Sequence, residues 1–151
     1  MSVSQKCQYA LRALFELAKR DTDKPTAMAQ VAEAQAIPPK FLELIFSELR
    51  QGGFVESRRG RGGGYVFRGR PEEMTVGMII RFVDGPVAPV KCIAGNAPSD
   101  RTCALYANCA FVDMWSRARD AVASVYDNTT FQDLIERERL RGETTANMYC
   151  I

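Results

Sequence analysis

The stretch from residue 38 to residue 70 most narrows what this chain can fold into, because it passes from helical spacing to a glycine-rich basic hairpin. Pro38 and Pro39 suit the opening of a helix, where a missing N–H leaves no hydrogen bond unmade. Behind them Phe41, Leu42, Ile45, Phe46 and Leu49 stand at i, i+1, i+4, i+5 and i+8, which predicts a buried stripe. Lys40, Glu43, Ser47 and Arg50 fall on the opposite face. Gln51-Gly52-Gly53 ends this helix. Phe54–Ser57 and Tyr65–Arg68 read as short strands around the turn Arg58-Arg59-Gly60-Arg61-Gly62-Gly63-Gly64. Glycines at such a tip supply positive φ angles without steric cost, so a hairpin is expected.

Two helices precede this stretch. Residues 4–20 place Cys7, Leu11, Leu14, Phe15 and Ala18 on one stripe, and Asp21–Pro25 breaks the pattern. Thr26 is placed to cap a second helix with Met28, Val31 and Ala32 inward. Thr75 can cap a fourth helix through Asp84 with Val76, Ile79, Ile80 and Val83 inward. The expected fold is therefore mainly α with a small β-hairpin wing: a winged helix-turn-helix over residues 1–84. In that layout the exposed face of the third helix enters the major groove of DNA, and the wing reaches phosphate or the minor groove. Lys40, Glu43, Ser47 and Arg50 are the candidate helix contacts, and Arg58, Arg59, Gly60 and Arg61 the candidate wing contacts. The glycine run is no phosphate-binding loop, since it lacks a following Lys-Ser/Thr and leads into a strand.

Charge supports a polyanion partner for the first half. Residues 1–70 hold 12 Lys/Arg against 7 Asp/Glu, and five of those arginines lie between 58 and 70. Residues 71–151 reverse the balance, with 8 against 11.

Residues 85–109 read as a linker and a cysteine loop. Gly85-Pro86-Val87-Ala88-Pro89 is a stiff connector, and Cys92, Cys103 and Cys109 follow with ten and five residues between them. Three thiols on a polar Gly/Asn/Pro/Asp loop suit chemistry that needs thiolates, because packing cysteines scatter singly over helix faces. An odd total of five cysteines argues against a disulfide framework. The spacings are too long for zinc-knuckle pairs, and an iron–sulfur cluster wrapped by a longer loop fits better. Such clusters normally take four ligands, so one is missing; Cys7, Gln8, Asp113, Asp100 or an outside group are the candidates. Cys150 reads as incidental. With no histidine in the chain, imidazole ligands and His-based catalysis are excluded, and no Cys-x-x-Cys or cofactor fingerprint points to an enzyme. No run of 18 apolar residues and no recognisable signal segment occur, so a reducing cytoplasm is expected.

Residues 110–140 are expected to form dimerisation helices. The first carries Phe111, Trp115, Ala118, Val122 and Val125 along one side, with little sequence left to cover them. Asn128-Thr129-Thr130 caps the second, with Phe131, Leu134 and Ile135 apolar. The chain beyond about residue 136 reads as a fraying end, and residues 141–151 as a flexible tail.

YALRALFELA, IPPKFLELIFSELRQGGFVESRRGRGGGYVF, VGMIIRFVDG and a cysteine loop ending six residues before Trp115 together resemble the bacterial iron–sulfur regulators of the IscR and NsrR type, to about residue 135. The resemblance implies a homodimeric winged-helix transcriptional regulator that holds a [2Fe-2S] or [4Fe-4S] cluster and reads a pseudo-palindromic double-stranded operator, without a small-molecule substrate. It implies DNA readout by Glu43 and Arg59: a carboxylate accepts from cytosine N4, and an arginine is drawn into a narrow minor groove. Two departures stand out. Val112 occupies the place of the IscR-type histidine ligand, and Gln8 lies near that of the NsrR-type carboxylate. The loop between the first two cysteines is also longer than in IscR-type chains. The cluster type and the signal (iron or cluster status, redox state or nitric oxide) stay open, and a metal-free disulfide switch is the alternative.

Overall fold

The structure is a computed structural model and describes residues 2–20, 23–95 and 103–148. Helix α1 (Gln5–Lys19) opens at Ser4, whose hydroxyl accepts from the Cys7 N–H at 3.1 Å. Helix α2 (Met28–Gln35) and helix α3 (Pro39–Gln51) follow, then strands β1 (Val55–Arg58) and β2 (Gly64–Phe67). The strands pair antiparallel from Val55 opposite Phe67 to Arg58 opposite Gly64. Helix α4 (Val76–Asp84) has its expected cap: the Thr75 side chain accepts from the Met78 N–H. After short 3-10 turns at Lys91–Ile93 and Tyr106–Asn108 come helix α5 (Val112–Asp127) and helix α6 (Phe131–Met148).

Thr26 does not cap α2. It exchanges backbone hydrogen bonds of 2.8 and 2.9 Å with Tyr65, an isolated antiparallel bridge beside β2. The start of α2 is closed instead by the Gln30 side chain, which accepts from the Ala27 N–H at 3.2 Å. Gly64 follows from this arrangement, because a Cβ there would run into the Thr26 carbonyl. At the hairpin tip Gly60 and Gly62 take φ of 105° and 80°, the region the glycine run was expected to serve.

One core joins α1, α2, α3, the hairpin, α4 and the first residue of α6. Leu14, Val31, Leu42, Phe46, Leu49, Ile79 and Phe131 are each 0% exposed. Phe46 stacks on Tyr65 with ring centroids 4.2 Å apart, and Phe131 meets Phe67 edge-on at 5.7 Å. Each such side chain contributes roughly 1.5–3 kcal/mol by leaving water. Phe41 departs from its expected place in the buried stripe. It is 43% exposed on the flank of α3, against Tyr9 at 5.8 Å.

The start of α6 is stitched to the segment before α4. Val76 donates to the Thr129 carbonyl at 2.9 Å, and Phe131 and Gln132 donate to Met74 and Pro71 at 3.1 and 3.2 Å. Alongside, Arg81 of α4 grips the Asp127 carboxylate at the end of α5 with two hydrogen bonds, of 2.5 and 2.8 Å. Val122 and Tyr126 of α5 pack over Cys7, Ile80 and Val87, yet no residue of α5 is fully buried. Its outward line is Phe111, Met114, Ala118, Ala121 and Val125, with Phe111 61%, Met114 44% and Val125 63% exposed. Of the expected line Phe111, Ala118 and Val125 face outward, whereas Val122 packs inward and Trp115 is half-buried. Helix α6 runs to Met148, through the stretch read from sequence as a fraying end and flexible tail. Among the described residues no helix is long and apolar enough to cross a membrane.

Candidate nucleic-acid interface and cysteine loop

Because Leu42, Ile45, Phe46 and Leu49 face the core, the far side of α3 faces outward. Lys40, Glu43 and Arg50 are exposed and Ser47 is half-buried, so these four candidates share the outer part of one helix. The Lys40 ammonium lies 5.6 Å from the centre of the Phe41 ring. Leu44 sits among them, 56% exposed. Sequence reasoning missed it by seeking only polar groups on that face; its spacing from Lys40 and Ser47 was the available signal. At the edge Lys6 of α1 pairs with Glu48 at 3.1 Å and ties the two helices.

The hairpin places Arg59, Gly60 and Arg61 at an exposed tip. Arg58 is different: its guanidinium donates to the Asp23 carbonyl at 2.5 Å and holds the base of the wing to the loop before α2. Arg70 lies apart as well, bonded to Glu72 at 2.5 and 2.9 Å and within 3.5 Å of Glu73. The hydrogen bond to Glu72 first, then the charges of Glu72 and Glu73, push its pKa up and occupy its donors. The run of arginines therefore divides into tip groups and groups that brace the hairpin or pair locally.

In the cysteine loop Cys92 is half-buried on the turn Lys91–Ile93, Cys103 is exposed, and Cys109 is half-buried just after Tyr106–Asn108. All three are free thiols. The neighbouring Ile93 is buried, and its carbonyl accepts from an Arg119 Nη at 2.9 Å, which fastens the Cys92 turn to the middle of α5. Among the described residues no three Cys, Asp or Glu side chains gather closely enough to hold a metal ion. As a donor set, three unpaired thiols on irregular backbone fit a thiophilic iron centre in kind.

The candidates for a fourth ligand scatter. Asp113 is exposed in the first turn of α5, and Gln8 is exposed with its amide donating to the Val3 carbonyl at 3.0 Å. Asp100 lies outside the described residues, as does Cys150. Cys7 is 0% exposed beneath the α1–α4 contact. Burial first, then the charge of Asp84 and a hydrogen bond to it, push its thiol up to about 12. A thiol held protonated at neutral pH is a poor metal ligand and a poor nucleophile. Asp84 itself accepts from the Ser4 N–H at 2.8 Å and from its hydroxyl at 2.5 Å, so Cys7 belongs to the junction between α1 and α4.

Three helices, an outward third-helix face and a basic wing define a winged-helix DNA-binding regulator. The chain belongs to the Rrf2 family, described as iron-dependent transcriptional regulators, whose pattern it matches over residues 3–137. It is 36% identical to the transcriptional regulator CymR of Bacillus subtilis over 151 residues, 100% of both chains. The solved structure of that protein, described as the global cysteine regulator of B. subtilis, superposes with a TM-score of 0.72 over 91% of this chain and 98% of its own. The chain is also 30% identical to IscR of Pectobacterium atrosepticum over 140 residues, 93% of this chain and 82% of the other. The structure of T. potens IscR matches with a TM-score of 0.69 at 27% identity, over 91% and 88% of the two chains. These relatives are transcriptional regulators, not enzymes.

Proposed function

We propose that this protein is a homodimeric transcriptional regulator whose operator affinity follows the state of the Cys92, Cys103 and Cys109 thiols, and that those thiols hold an iron–sulfur cluster. The observation that carries the link is the Arg119 bond to the Ile93 carbonyl, which joins the Cys92 turn to α5. Helix α5 has an exposed apolar line that suits a second copy, so loop and dimer seam share one rigid element. Bound there, a cluster would supply a redox-active, oxidant-labile centre. The residues of this chain do the rest. Lys40, Glu43, Ser47 and Arg50 of α3 meet base edges or phosphate in the major groove, and Arg59, Gly60 and Arg61 of the wing meet the backbone or minor groove, with Arg58 bracing them. The recognition helices of a dimer must match the half-site spacing, so a change in α5 pairing alters affinity.

Anaerobic incubation with iron and sulfide tests this. The reconstituted protein should be coloured and should bind its operator differently from the metal-free form, and Cys92→Ala should lose both properties. A colourless product with unchanged DNA binding in Cys92→Ala would count against it.

A second reading has an observation of its own: Cys103 is exposed and Cys109 half-buried, both free thiols on the same loop with five residues between them. In it, peroxide oxidises two thiols to a disulfide and is itself reduced to two waters. Formation of one Cys103–Cys109 disulfide in iron-free protein, with reversible loss of DNA binding, would favour that switch.

A further inference from the structure

We infer that Leu44 reads sequence, its side chain taking the 5-methyl group of one thymine in each operator half-site. The inference rests on α3 being the element that enters the major groove. At 3.6 residues per turn Lys40, Leu44, Ser47 and Gln51 stand at i, i+4, i+7 and i+11, on the line opposite Leu42, Ile45, Phe46 and Leu49. Leu44 is therefore near the centre of the outward face, more central than Glu43 or Arg50. At 56% exposed it is the most solvent-accessible large apolar side chain on α3, ahead of Phe41 at 43%. Among the described residues it joins neither apolar cluster. Phe41, one turn earlier, turns to Tyr9 instead.

A leucine left 56% exposed between Lys40, Glu43 and Ser47 gains little from burial in the folded chain. Its exposed apolar neighbour on α3, Phe41, lies on the flank against Tyr9, and the pair is small beside the apolar centre of a protein interface. The floor of the major groove offers one apolar group among its donors and acceptors, the thymine methyl. Contact with it removes both surfaces from water, and only a thymine presents that methyl at a given place in the groove. The flanking Lys40 and Glu43 supply the hydrogen bonds that set register on neighbouring pairs.

The test begins with selection of an operator from random duplexes by the full chain, purified without oxygen. Each thymine of a half-site is then replaced singly by deoxyuridine, which deletes only the methyl. One replacement should weaken binding by the parent about three- to tenfold, the range expected for one buried methyl group. Leu44→Ala should bind the parent operator more weakly and show no further loss at that one position. Leu44→Met, of similar volume, should keep the sensitivity. Identical deoxyuridine profiles for the parent and Leu44→Ala would overturn the assignment of Leu44 and leave the DNA-binding function standing. So would a profile with no sensitive thymine. Failure to enrich any duplex would bring down the DNA-binding function itself and the leucine contact with it. Circular dichroism checks that Leu44→Ala stays folded, as an exposed position should.

Discussion

Helix α3 buries Leu42, Ile45, Phe46 and Leu49 among its 13 residues, whereas α5, at 16 residues, has none fully buried. The same contrast separates the two sets of functional candidates. Lys40, Glu43 and Arg59 stand on elements fixed by a closed core, while Cys92, Cys103 and Cys109 stand on short turns and irregular backbone. The DNA-reading half is complete within one chain. The loop and α5 keep apolar and thiol groups in water, so their final arrangement depends on what they meet, which in the proposed function is a cofactor and a second copy.

The largest effect should separate the two halves directly. Phe46→Ala is expected to cost about 3–5 kcal/mol in urea denaturation, the usual range for a fully buried phenylalanine. Phe111→Ala, the same truncation at the residue that opens α5, should cost under about 1 kcal/mol at low protein concentration, since its ring is already 61% exposed. It should instead move the monomer–dimer equilibrium in sedimentation. Equal costs in both, independent of concentration, would erase the contrast.

Within the basic hairpin, Arg59→Ala should weaken operator binding by about 1–3 kcal/mol and flatten its salt dependence by roughly one counterion. Arg70→Ala should change both less, because its guanidinium is held by Glu72 and Glu73 and not by phosphate. A salt titration of both variants decides.

Glu16 sharpens the picture of the closed half. Only 5% exposed on α1, it accepts from Gln35 and Arg20 at 2.8 Å each and lies 3.7 Å from Lys19. Burial alone would raise its pKa, but the hydrogen bonds from Gln35 and Arg20, with the charges of Lys19 and Arg20, leave it lowered. The native state therefore binds this proton less readily than the unfolded chain. Its stabilising share is present above the ordinary carboxylate value and fades as pH falls through the lowered one. Glu16→Gln should cost about 1–3 kcal/mol at pH 7 and lose less than the parent on acidification. Parallel stability curves from pH 7 to pH 3 would refute the role given to that carboxylate.

The smallest effect concerns rates of thiol labelling. At pH 7 Cys103 should react first with a soluble disulfide reagent, Cys92 and Cys109 more slowly, and Cys7 only on unfolding. Because the folded Cys7 thiol is raised to about 12, its contribution to stability should hold below the unfolded thiol's value near 9 and drain away above it. Early labelling of Cys7 in folded protein would show that the α1–α4 junction opens.

The reader was largely legible from residue order. The stripe on α3, the glycine tip and the Thr75 cap are local signals, and local physics decides them. Thr26 was misplaced because its partner, Tyr65, is 39 residues away and pairing across that gap leaves no mark in local spacing. Phe41 and Val122 sit at helix flanks, where a turn of a few tens of degrees decides burial. The end of α6 was read as fraying because ERERLRGETTANM has few apolar residues, although its helix formers carry the backbone to Met148. Of the cysteine loop, the sequence shows how many thiols there are and on what kind of backbone. Their convergence is a three-dimensional matter that separations of ten and five residues do not encode.

Gly77 carries a consequence for regulation. A single methyl group at this position of α4 would overlap the Asp127 carboxylate that Arg81 grips. Any side chain there would have to push that carboxylate aside and so disturb the Arg81–Asp127 pair between α4 and the end of α5. In the proposed function, a tilt of α5 would reach α4 through this joint. Gly77→Ala should weaken that pairing while leaving α3 and the Cys92 turn in place.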